Sequence, residues 1–551
     1  MKGILLHLFS ISFLLLFTKL ASGQSVYRFS PLQKNVLIDE VVEFSSPSPA
    51  ISSTLPPAIL ALNFHINDQN EAGGILLKFN ERTECTQSIL LTVKDGNIQL
   101  KDQIQVGADL IVLANYFSKV NQNTGVFIAR INMETKLVIW SQLFGSGHPI
   151  DTYSAADMYY SRGFLYVLAN KSTLVGPTSR DRMSIWKLSE NGELSFSLTI
   201  NNDNKGDVDF GTSIAITPDN NILAVGLSTP INSSVGKIVM CKLSLSGQLQ
   251  LTRDLVFKDV NGRVQRPDFP FLDINTGNIH IACQAVLGRS DQGMILITML
   301  DSDLNLRTWR DYSPKIHMED FKIGGGKFLL SGQEPVTNGG TGYGMVGINN
   351  LNAIPEIIDY YKTGFESVSI ATSSSIVYHN AWQQYLMASR PNKSSESFVN
   401  IVERKNDLNG SCAEPFTFSV TKDEVTVNDI GVLHADSLML GKEPFDFDLT
   451  DISFARETIC LKTGINENTE AEFILSPNPA TRFLNVTHDF ENWQDSKIYI
   501  YDLFGRVVFV QSIFSESENL DISSLENGLY LVSLQDEKLR KKVVRRFLKM
   551  D

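Results

Sequence analysis

The chain has 551 residues, with 48 Lys and Arg against 61 Asp and Glu, which gives a net charge of −13. This acidity argues against a nucleic-acid partner, because proteins that bind nucleic acids usually present a basic face to the phosphates. Apolar residues make up 43% of the chain, as in ordinary globular proteins, so the composition excludes a disordered chain.

The first 23 residues predict a secretory signal peptide. Lys2 gives the positive start, residues 4–17 are almost entirely apolar, and Ala21 and Gly23 are the small residues of a cleavage site. The apolar run is too short to favour a membrane anchor, and no later segment approaches the roughly 20 apolar residues of a spanning helix. Residues 24–58 carry four prolines between Pro47 and Pro57 and predict an irregular opening segment with one strand at 41–44.

A hairpin of two short strands around a polar turn recurs seven times. Its copies start at Gly73, Gly125, Arg182, Lys237, Gln292, Tyr343 and Ser397, which are 51 to 57 residues apart. An apolar strand such as LIVLANY from Leu110 or LYVLANK from Leu165 precedes most copies and is typical of a strand buried on both faces. A period near 50 residues with about four strands per unit indicates a radial array of small sheets.

These patterns predict an all-β chain with a seven-bladed β-propeller over residues 59–462. Six or eight blades also fit, because the first unit lacks a clean first strand. The strand-like segment 425–461 either closes the ring or forms an eighth, partial blade. Closure is favoured, since a ring closed by a strand from the other terminus leaves fewer open sheet edges.

A polar linker at 463–471 separates this array from a small all-β sandwich at 472–551, which has short alternating strands joined by Gly and Asn turns. The sandwich opens on Leu475-Ser476-Pro477-Asn478-Pro479-Ala480, continues with Ile500-Tyr501-Asp502 and Gly505-Arg506-Val507, and then has Leu525 before Gly528-Leu529-Tyr530. A basic strand ends it. With these motifs in this order, the module resembles the type A C-terminal sorting domain of type IX secretion cargo from Bacteroidota.

The resemblance implies the route that the chain takes. Such cargo crosses the inner membrane by its signal peptide and is then moved from the periplasm across the outer membrane by machinery that reads the sorting domain. The domain is usually cleaved, and the cargo is released or attached to surface lipopolysaccharide. We therefore expect a secreted or surface-attached protein whose motif residues are Pro477, Asn478, Pro479, Asp502, Gly505, Gly528 and Tyr530.

Four acidic residues precede an aromatic or large apolar residue near the start of predicted blades: Asp157, Asp209, Asp268 and Asp320. At equivalent positions they would ring the propeller axis, where carboxylates could hold a cation or a cationic ligand. The favoured alternative is structural. Each Asp would accept backbone N–H bonds in the preceding turn while the aromatic residue packs between blades.

The remaining candidates concern disulfides and calcium. Five cysteines in 551 residues do not form a disulfide framework, but Cys412 and Cys460 bracket the segment after the last repeat and could pair. The acidic loops at 201–209 and 301–305 resemble calcium loops, yet the first has Thr212 where an EF-hand-like loop has Glu. We therefore expect no cofactor, with calcium as the alternative.

The sequence favours a binding or adhesion protein for a glycan or protein over an enzyme, because it lacks the GxSxG and HExxH motifs. Two alternatives remain. One is a polysaccharide-active hydrolase or lyase with its site in the axial depression, since paired carboxylates are brought together in space and not in sequence. The other is a structural component of a surface layer.

Overall fold

A computed structural model describes the chain in these ranges: 24–33, 36–45, 57–66, 71–120, 124–145, 151–175, 178–202, 207–230, 236–258, 264, 266–275, 277–286, 293–313, 317–335, 341–348, 356–361, 374–382, 384–390, 399–405, 419–421, 424–429, 433–438, 440–462, 473–488, 496–502, 506–513, 515–536 and 541–550. The predicted signal peptide (1–23) and linker (463–471) lie outside these ranges. The chain divides into two compact units, Met1–Gly464 and Ile465–Asp551. Every regular element in the described ranges is a β-strand.

The first unit is a seven-bladed β-propeller. The chain begins with β1 (Gln24–Pro31). Blade 1 has β2 (Val36–Ser45), β3 (Ala58–Ile66), β4 (Glu71–Phe79) and β5 (Cys85–Thr92). Blade 2 has β6 (Gly96–Val106), β7 (Asp109–Ser118), β8 (Thr124–Asn132) and β9 (Leu137–Gly145). Blade 3 has β10 (Asp151–Ser161), β11 (Phe164–Val175), β12 (Thr178–Ser189) and β13 (Leu194–Asn202). Blade 4 has β14 (Asp207–Ile216), β15 (Asn221–Pro230), β16 (Lys237–Ser244) and β17 (Leu249–Lys258).

The remaining blades follow in the same order. Blade 5 has β18 (Arg266–Asn275), β19 (Asn278–Val286), β20 (Gly293–Leu300) and β21 (Leu306–Ser313). Blade 6 has β22 (His317–Gly324), β23 (Lys327–Pro335), β24 (Thr341–Ile348) and β25 (Glu356–Tyr361). Blade 7 has β26 (Ser374–His379), β27 (Gln384–Ser389) and β28 (Val399–Lys405). The repeated hairpin thus supplies the third strand of every blade.

The N-terminal strand β1 completes blade 7. It pairs antiparallel with β28, as in Tyr27 opposite Ile401, and so serves as the fourth strand of the last blade. The prediction of an irregular segment at 24–58 is therefore wrong. Both β1 and β2 belong to the propeller, which begins at Gln24 and not at residue 59. The proline-rich residues 46–56 lie outside the described ranges. Their prolines are typical of loops, and for this reason the sequence predicted an irregular segment here.

After blade 7 the chain runs back around the ring. Six short strands each add a fifth, antiparallel strand to a blade, in the order of blades 5, 4, 3, 2, 1 and 7. They are β29 (Ser419–Thr421), β30 (Glu424–Asp429), β31 (Leu433–Ser437), β32 (Gly441–Pro444), β33 (Asp448–Asp451) and β34 (Phe454–Lys462). We call residues 419–462 the belt. The belt ends on β1, so both ends of the propeller chain meet in blade 7.

Belt strands are fixed by backbone pairing and by side chains of the blades. Serines of the fourth strands, Ser88, Ser141 and Ser197, donate hydrogen bonds to the belt carbonyls of Ile452, Phe445 and Leu438, respectively. Belt side chains also enter the core between blades: Phe445 and Phe447 lie 5.1 Å from the Phe127 ring, centroid to centroid.

Apolar layers between neighbouring blades form the core. One cluster joins Ile59 and Leu76 of blade 1 to Leu110, Val112 and Phe127 of blade 2, all of them buried. The second strands are buried on both faces, as their unbroken apolar sequence predicts. In blades 1 to 5 the turn between the third and fourth strands is capped by its own first residue; Asp301, for example, accepts from the N–H groups of Asp303 and Asn305, both at 2.9 Å.

The second unit is a two-sheet sandwich. One sheet has β35 (Phe473–Ser476), β36 (Phe483–His488) and β39 (Ser517–Asp521) in the order β35-β36-β39. The other has β37 (Ser496–Tyr501), β38 (Val507–Ser512), β40 (Gly528–Asp536) and β41 (Lys541–Lys549) in the order β38-β37-β40-β41. Its core contains Leu484, Ile498, Val532 and Phe547.

Candidate functional site in the axial channel

The first strands of all seven blades line one cavity of about 540 Å³, which is therefore the axial channel. Six acidic side chains line it: Glu43, Asp102, Asp157, Asp273, Glu319 and Asp320. Two lysines, Lys101 and Lys322, also line it. The channel thus concentrates negative charge in a narrow space.

Three of the axial acids occupy the same place in their blades. Asp102, Asp157 and Asp320 each follow a β-bulge in the first strand, and each lies opposite the fifth residue of the second strand. A bulge bends its strand and redirects the side chain that follows. Here it turns these carboxylates toward the next blade.

Asp157 shows what this position does. Its Oδ1 accepts from its neighbour Met158 N at 2.9 Å. Its Oδ2 reaches blade 4 and accepts from Ile214 N at 2.7 Å and Ser213 Oγ at 2.8 Å. One carboxylate therefore satisfies donors on two blades, which fixes the spacing between the two first strands.

Asp320 repeats this arrangement between blades 6 and 7. Its Oδ1 accepts from Phe321 N at 2.8 Å, and its Oδ2 accepts from Ile376 N at 2.9 Å and Ser375 Oγ at 2.8 Å. Asp102 does the same between blades 2 and 3, since its Oδ2 accepts from Met158 N at 2.9 Å. The favoured structural alternative placed these bonds in the preceding turn, whereas Asp102, Asp157 and Asp320 accept from the following residue and from the next blade.

Other polar groups connect the four remaining junctions. They are Gln103 Nε2 to the Glu43 carbonyl (3.0 Å), Thr212 Oγ1 to the Pro270 carbonyl (2.7 Å), Ile323 N to Asp273 Oδ2 (2.6 Å) and Phe44 N to Ser375 Oγ (2.9 Å). Every pair of neighbouring blades is therefore hydrogen-bonded around the channel.

An ion pair joins blade 6 to blade 1: Lys322 Nζ lies 2.8 Å from Glu43 Oε1. The Lys322 side chain keeps 37% of its surface accessible, and this surface faces the channel. Burial by itself lowers the pKa of Lys322, but the charges of Glu43 and Asp320 outweigh it and raise that pKa well above its ordinary value. Lys322 is therefore the counter-charge of the acidic channel.

Three acids near Lys322, namely Glu43, Asp102 and Asp273, have raised pKa values. Burial raises the pKa of Glu43 to about 7, with Lys322 opposing this and Asp320 adding to it. Burial, followed by the charges of Asp157 and Glu43, raises the pKa of Asp102 well above its ordinary value. Burial also raises the pKa of Asp273.

These shifts predict that the free energy of unfolding falls as the pH rises from about 4.5 to about 7. A raised carboxyl pKa means that the folded state binds more protons in this interval, so deprotonation favours unfolding. Between these two pH values, we expect Glu43→Gln to reduce the fall in the free energy of unfolding by on the order of 2 kcal/mol. Urea unfolding at several pH values measures it. Glu443→Gln, at an exposed position, is the control. If the free energy of unfolding depended on pH equally in the two variants, Glu43 would not be the cause of the dependence.

The four predicted ligand residues do not form the expected ring. Asp157 and Asp320 lie in the channel wall, but Asp209 and Asp268 precede the bulge of their strands and lie opposite Ser228 and Gln284. Asp209 is 1% exposed, and its Oδ2 lies 3.7 Å from Arg182. The four positions are therefore not equivalent, and the prediction of equivalence was wrong.

Sequence reasoning missed Glu43, Asp102, Asp273 and Lys322. Spacing would have found one of them: Asp102, Asp157 and Asp320 stand the same number of residues before their partners in the recurring second strand, Leu113, Leu168 and Ser331. The acid–aromatic pattern overlooks Asp102 because Gln103 follows it. No local pattern indicates Lys322, whose importance comes from acids on other blades.

In the described part of the chain, no group of three or more His, Cys, Asp or Glu side chains could hold a metal ion. The segment 301–305, which resembles a calcium loop in sequence, is a hairpin turn capped by Asp301, whereas residues 203–206 of the other such loop lie outside the described ranges. Cys412 also lies outside them, so its pairing with Cys460 stays a prediction. Cys85 and Cys241 are free thiols.

The motif residues of the second unit tie its start to its end. Asn478 Oδ1 accepts from Leu548 N at 2.9 Å, and Asn478 Nδ2 donates to the Arg546 carbonyl at 3.2 Å. Pro477 and Pro479 flank Asn478, and both follow cis peptide bonds. The opening motif therefore lies along the final strand.

The other motif residues shape turns. Asp502 Oδ1 accepts from Arg506 N at 2.9 Å, and Asp502 Oδ2 from Arg506 Nε at 2.6 Å. Tyr530 Oη donates to the Glu526 carbonyl at 2.9 Å, just before Gly528 begins β40. Gly505 lies outside the described ranges.

Comparison with known families supports the resemblance. Residues 475–549 match the family described as the secretion system C-terminal sorting domain. The second unit is a sorting domain. The protein is accordingly exported by the type IX machinery that this domain engages, and it is secreted or attached to the outer cell surface. Within the described part of the chain, no helix is long and apolar enough to span a membrane.

No curated protein matches the chain. Solved structures similar to it include a mutant of Trypanosoma rangeli sialidase with trans-sialidase activity, at 8% identity and a TM-score of 0.35, covering 56% of this chain and 54% of that one. This chain thus spans about half the length of that sialidase. A protein of unknown function from Dyadobacter fermentans has 9% identity and a TM-score of 0.39, covering 70% and 99%. PorZ, a surface component of the type-IX secretion system of Porphyromonas gingivalis, has 9% identity and a TM-score of 0.25, covering 95% and 81%.

Proposed function

We propose that the propeller is a binding or adhesion module that the sorting domain delivers to the cell surface or the medium, with a glycan or protein as its ligand. The observation that carries this proposal is that acidic side chains lining the channel bond neighbouring blades to one another. Asp102, Asp157 and Asp320 accept hydrogen bonds between blades, and Glu43 pairs with Lys322. These groups stabilise a rigid scaffold, and loops on rigid scaffolds commonly carry binding sites.

The channel suits a sugar residue. Its volume of about 540 Å³ lies in the range of small-ligand pockets. Tyr159 and Tyr160 line it beside Lys101 and Gln105, so that aromatic surface and hydrogen-bonding groups lie together. Sugars offer the same combination, with apolar ring faces and hydroxyl edges. After delivery, attachment to surface lipopolysaccharide would hold the module on the outside of the cell.

Glycan-array binding of the purified chain tests the proposal. Lys101→Ala removes a charged donor from the channel wall, and we expect it to weaken glycan binding by about tenfold or more. Lys119→Ala, at an exposed position outside the channel lining, is the matched control and should bind as the parent does. Binding that neither substitution changes would place the ligand site elsewhere and contradict the proposal.

One observation favours the alternative, a polysaccharide-active hydrolase or lyase. Asp102 and Asp157 accept from the same Met158 N, so these carboxylates lie within two hydrogen-bond lengths of one another, and burial, followed by the charge of Asp157, raises the pKa of Asp102 well above its ordinary value. Close carboxyl groups with different proton affinities are what glycoside hydrolysis uses. Turnover of a polysaccharide that Asp102→Asn abolishes would establish the enzyme. Bound glycans without turnover would favour the binding module.

A further inference from the structure

The sorting domain exposes an unusual share of apolar surface. In the described part of the chain, fifteen large hydrophobic residues are exposed, and seven of them belong to the second unit, which is much the smaller of the two. Six of these seven lie on or directly beside the sheet β38-β37-β40-β41. Clustered exposure of this kind marks interaction sites more often than single exposed residues do.

Strand register places four of these six residues on one face, together with two tyrosines. Val507 lies opposite Tyr501, and Val510 lies opposite Tyr499. Tyr501 in turn lies opposite Leu531, and Leu529 lies opposite Leu548. Residues opposite one another in antiparallel strands point to the same side of the sheet. We call Tyr499, Tyr501, Val507, Val510, Leu529 and Leu548 the outer face.

The outer face contributes nothing to the core of the sandwich. The core takes the alternate residues of the same strands, including Ile498, Ile500, Val532 and Phe547. A sheet with one face on the core and the other in water normally carries polar residues on the outside. Here Val507 and Val510 are 49% and 50% exposed, and the Tyr499 and Tyr501 rings stack with centroids 6.2 Å apart.

Positive charge borders this apolar surface. Arg546 is exposed and lies opposite Leu531, in the row that also contains Tyr501 and Val507. Arg506, whose side chain is 75% exposed, immediately precedes Val507, but its charge is paired with Asp502, so Arg546 supplies the positive charge of this face. Apolar surface with an exposed arginine beside it fits a partner that is apolar in the centre and acidic at the rim.

We infer that the outer face is the surface by which the type IX machinery holds this chain, through an apolar protein surface rimmed by acidic residues. The match to a sorting domain indicates that this unit is recognised during export. The other face of this sheet is occupied by the core, so among the described residues of this unit the outer face is the large apolar surface open to a partner.

Export of the full-length chain in a host with this secretion system tests the inference. Tyr499→Ser with Val510→Ser removes a neighbouring pair from the centre of the face. We expect the exported fraction to fall by about tenfold or more relative to the periplasmic fraction, as loss of central aromatic contacts does in interfaces. Phe483→Ser is the control, because Phe483 is 42% exposed but lies in the other sheet.

Two further variants separate recognition from folding. Val510→Leu keeps the face apolar and should be exported normally, whereas Arg546→Glu reverses its charge and should reduce export. The thermal transitions of the purified variants should equal that of the parent. Normal export of the Tyr499→Ser, Val510→Ser chain would overturn the inference. A change from dimer to monomer in that variant would also overturn it, by assigning the face to a second copy.

Discussion

A chain without residues 472–551 is expected to accumulate in the periplasm with an intact propeller. The sorting domain is a compact unit with its own core, and the propeller ends in β34 before that unit begins. Its removal should therefore leave the thermal transition of the propeller unchanged while it abolishes recognition by the export machinery. Fractionation of cells into periplasm, surface and medium measures the result.

The control for this deletion is the Phe483→Ser chain, which keeps the whole sorting domain and changes one exposed residue outside the outer face. Its distribution should match that of the parent. Surface display of the shortened chain at the parental level would refute the sorting role of the C-terminal unit. Comparison with the Tyr499→Ser, Val510→Ser chain then shows how much of the recognition depends on the outer face.

The repeating part of the fold was predictable because the strands of every blade pack in the same way. A second strand buried on both faces needs the unbroken apolar sequence that recurs as LIVLANY and LYVLANK, and a tight hairpin needs polar turn residues. Each requirement concerns residues that are neighbours in sequence, so the same pattern recurs once per blade. This recurrence predicts the β-propeller and its seven third strands.

The belt and β1 were not predictable in the same way. Their strands are short, and each pairs with a strand far away in sequence; Gln24 lies opposite both Arg404 and Lys462. Their apolar residues fit gaps at the outer edges of particular blades and follow no period. Segment 425–461 was recognised as strand-like, but local sequence does not show that it would visit six blades in reverse order.

The residues of the axial channel also divide into those that local sequence predicts and those that it does not. The acids Asp157 and Asp320 were found because an aromatic or large apolar residue follows each of them. Asp209 and Asp268 share that local pattern, but the bulges of their strands put them in different places. A bulge depends on pairing with the neighbouring strand, so residue order by itself could not separate the two pairs.

Removal of the belt is expected to weaken the propeller strongly. A chain that lacks residues 419–551 loses the fifth strand of six blades, including β34, which is one of the two partners of β1. It also exposes the apolar surface that Val425, Phe445, Phe447 and Ile452 cover. Burial of such side chains is worth about 1.5–3 kcal/mol each, so we expect a loss of at least about 5 kcal/mol. The chain that lacks only residues 472–551 is the matched control.

Thermal unfolding compares these two chains, and we expect the midpoint to fall by at least about 10 °C when the belt is absent. A point variant keeps the test informative if the beltless chain does not fold. Phe447→Ala should cost about 2 kcal/mol, because the Phe447 ring packs edge-on against Phe127, whereas the exposed neighbour Asp446→Ala should change little. Equal stability of both variants and of both shortened chains would mean that the belt lies on the blades without holding them together.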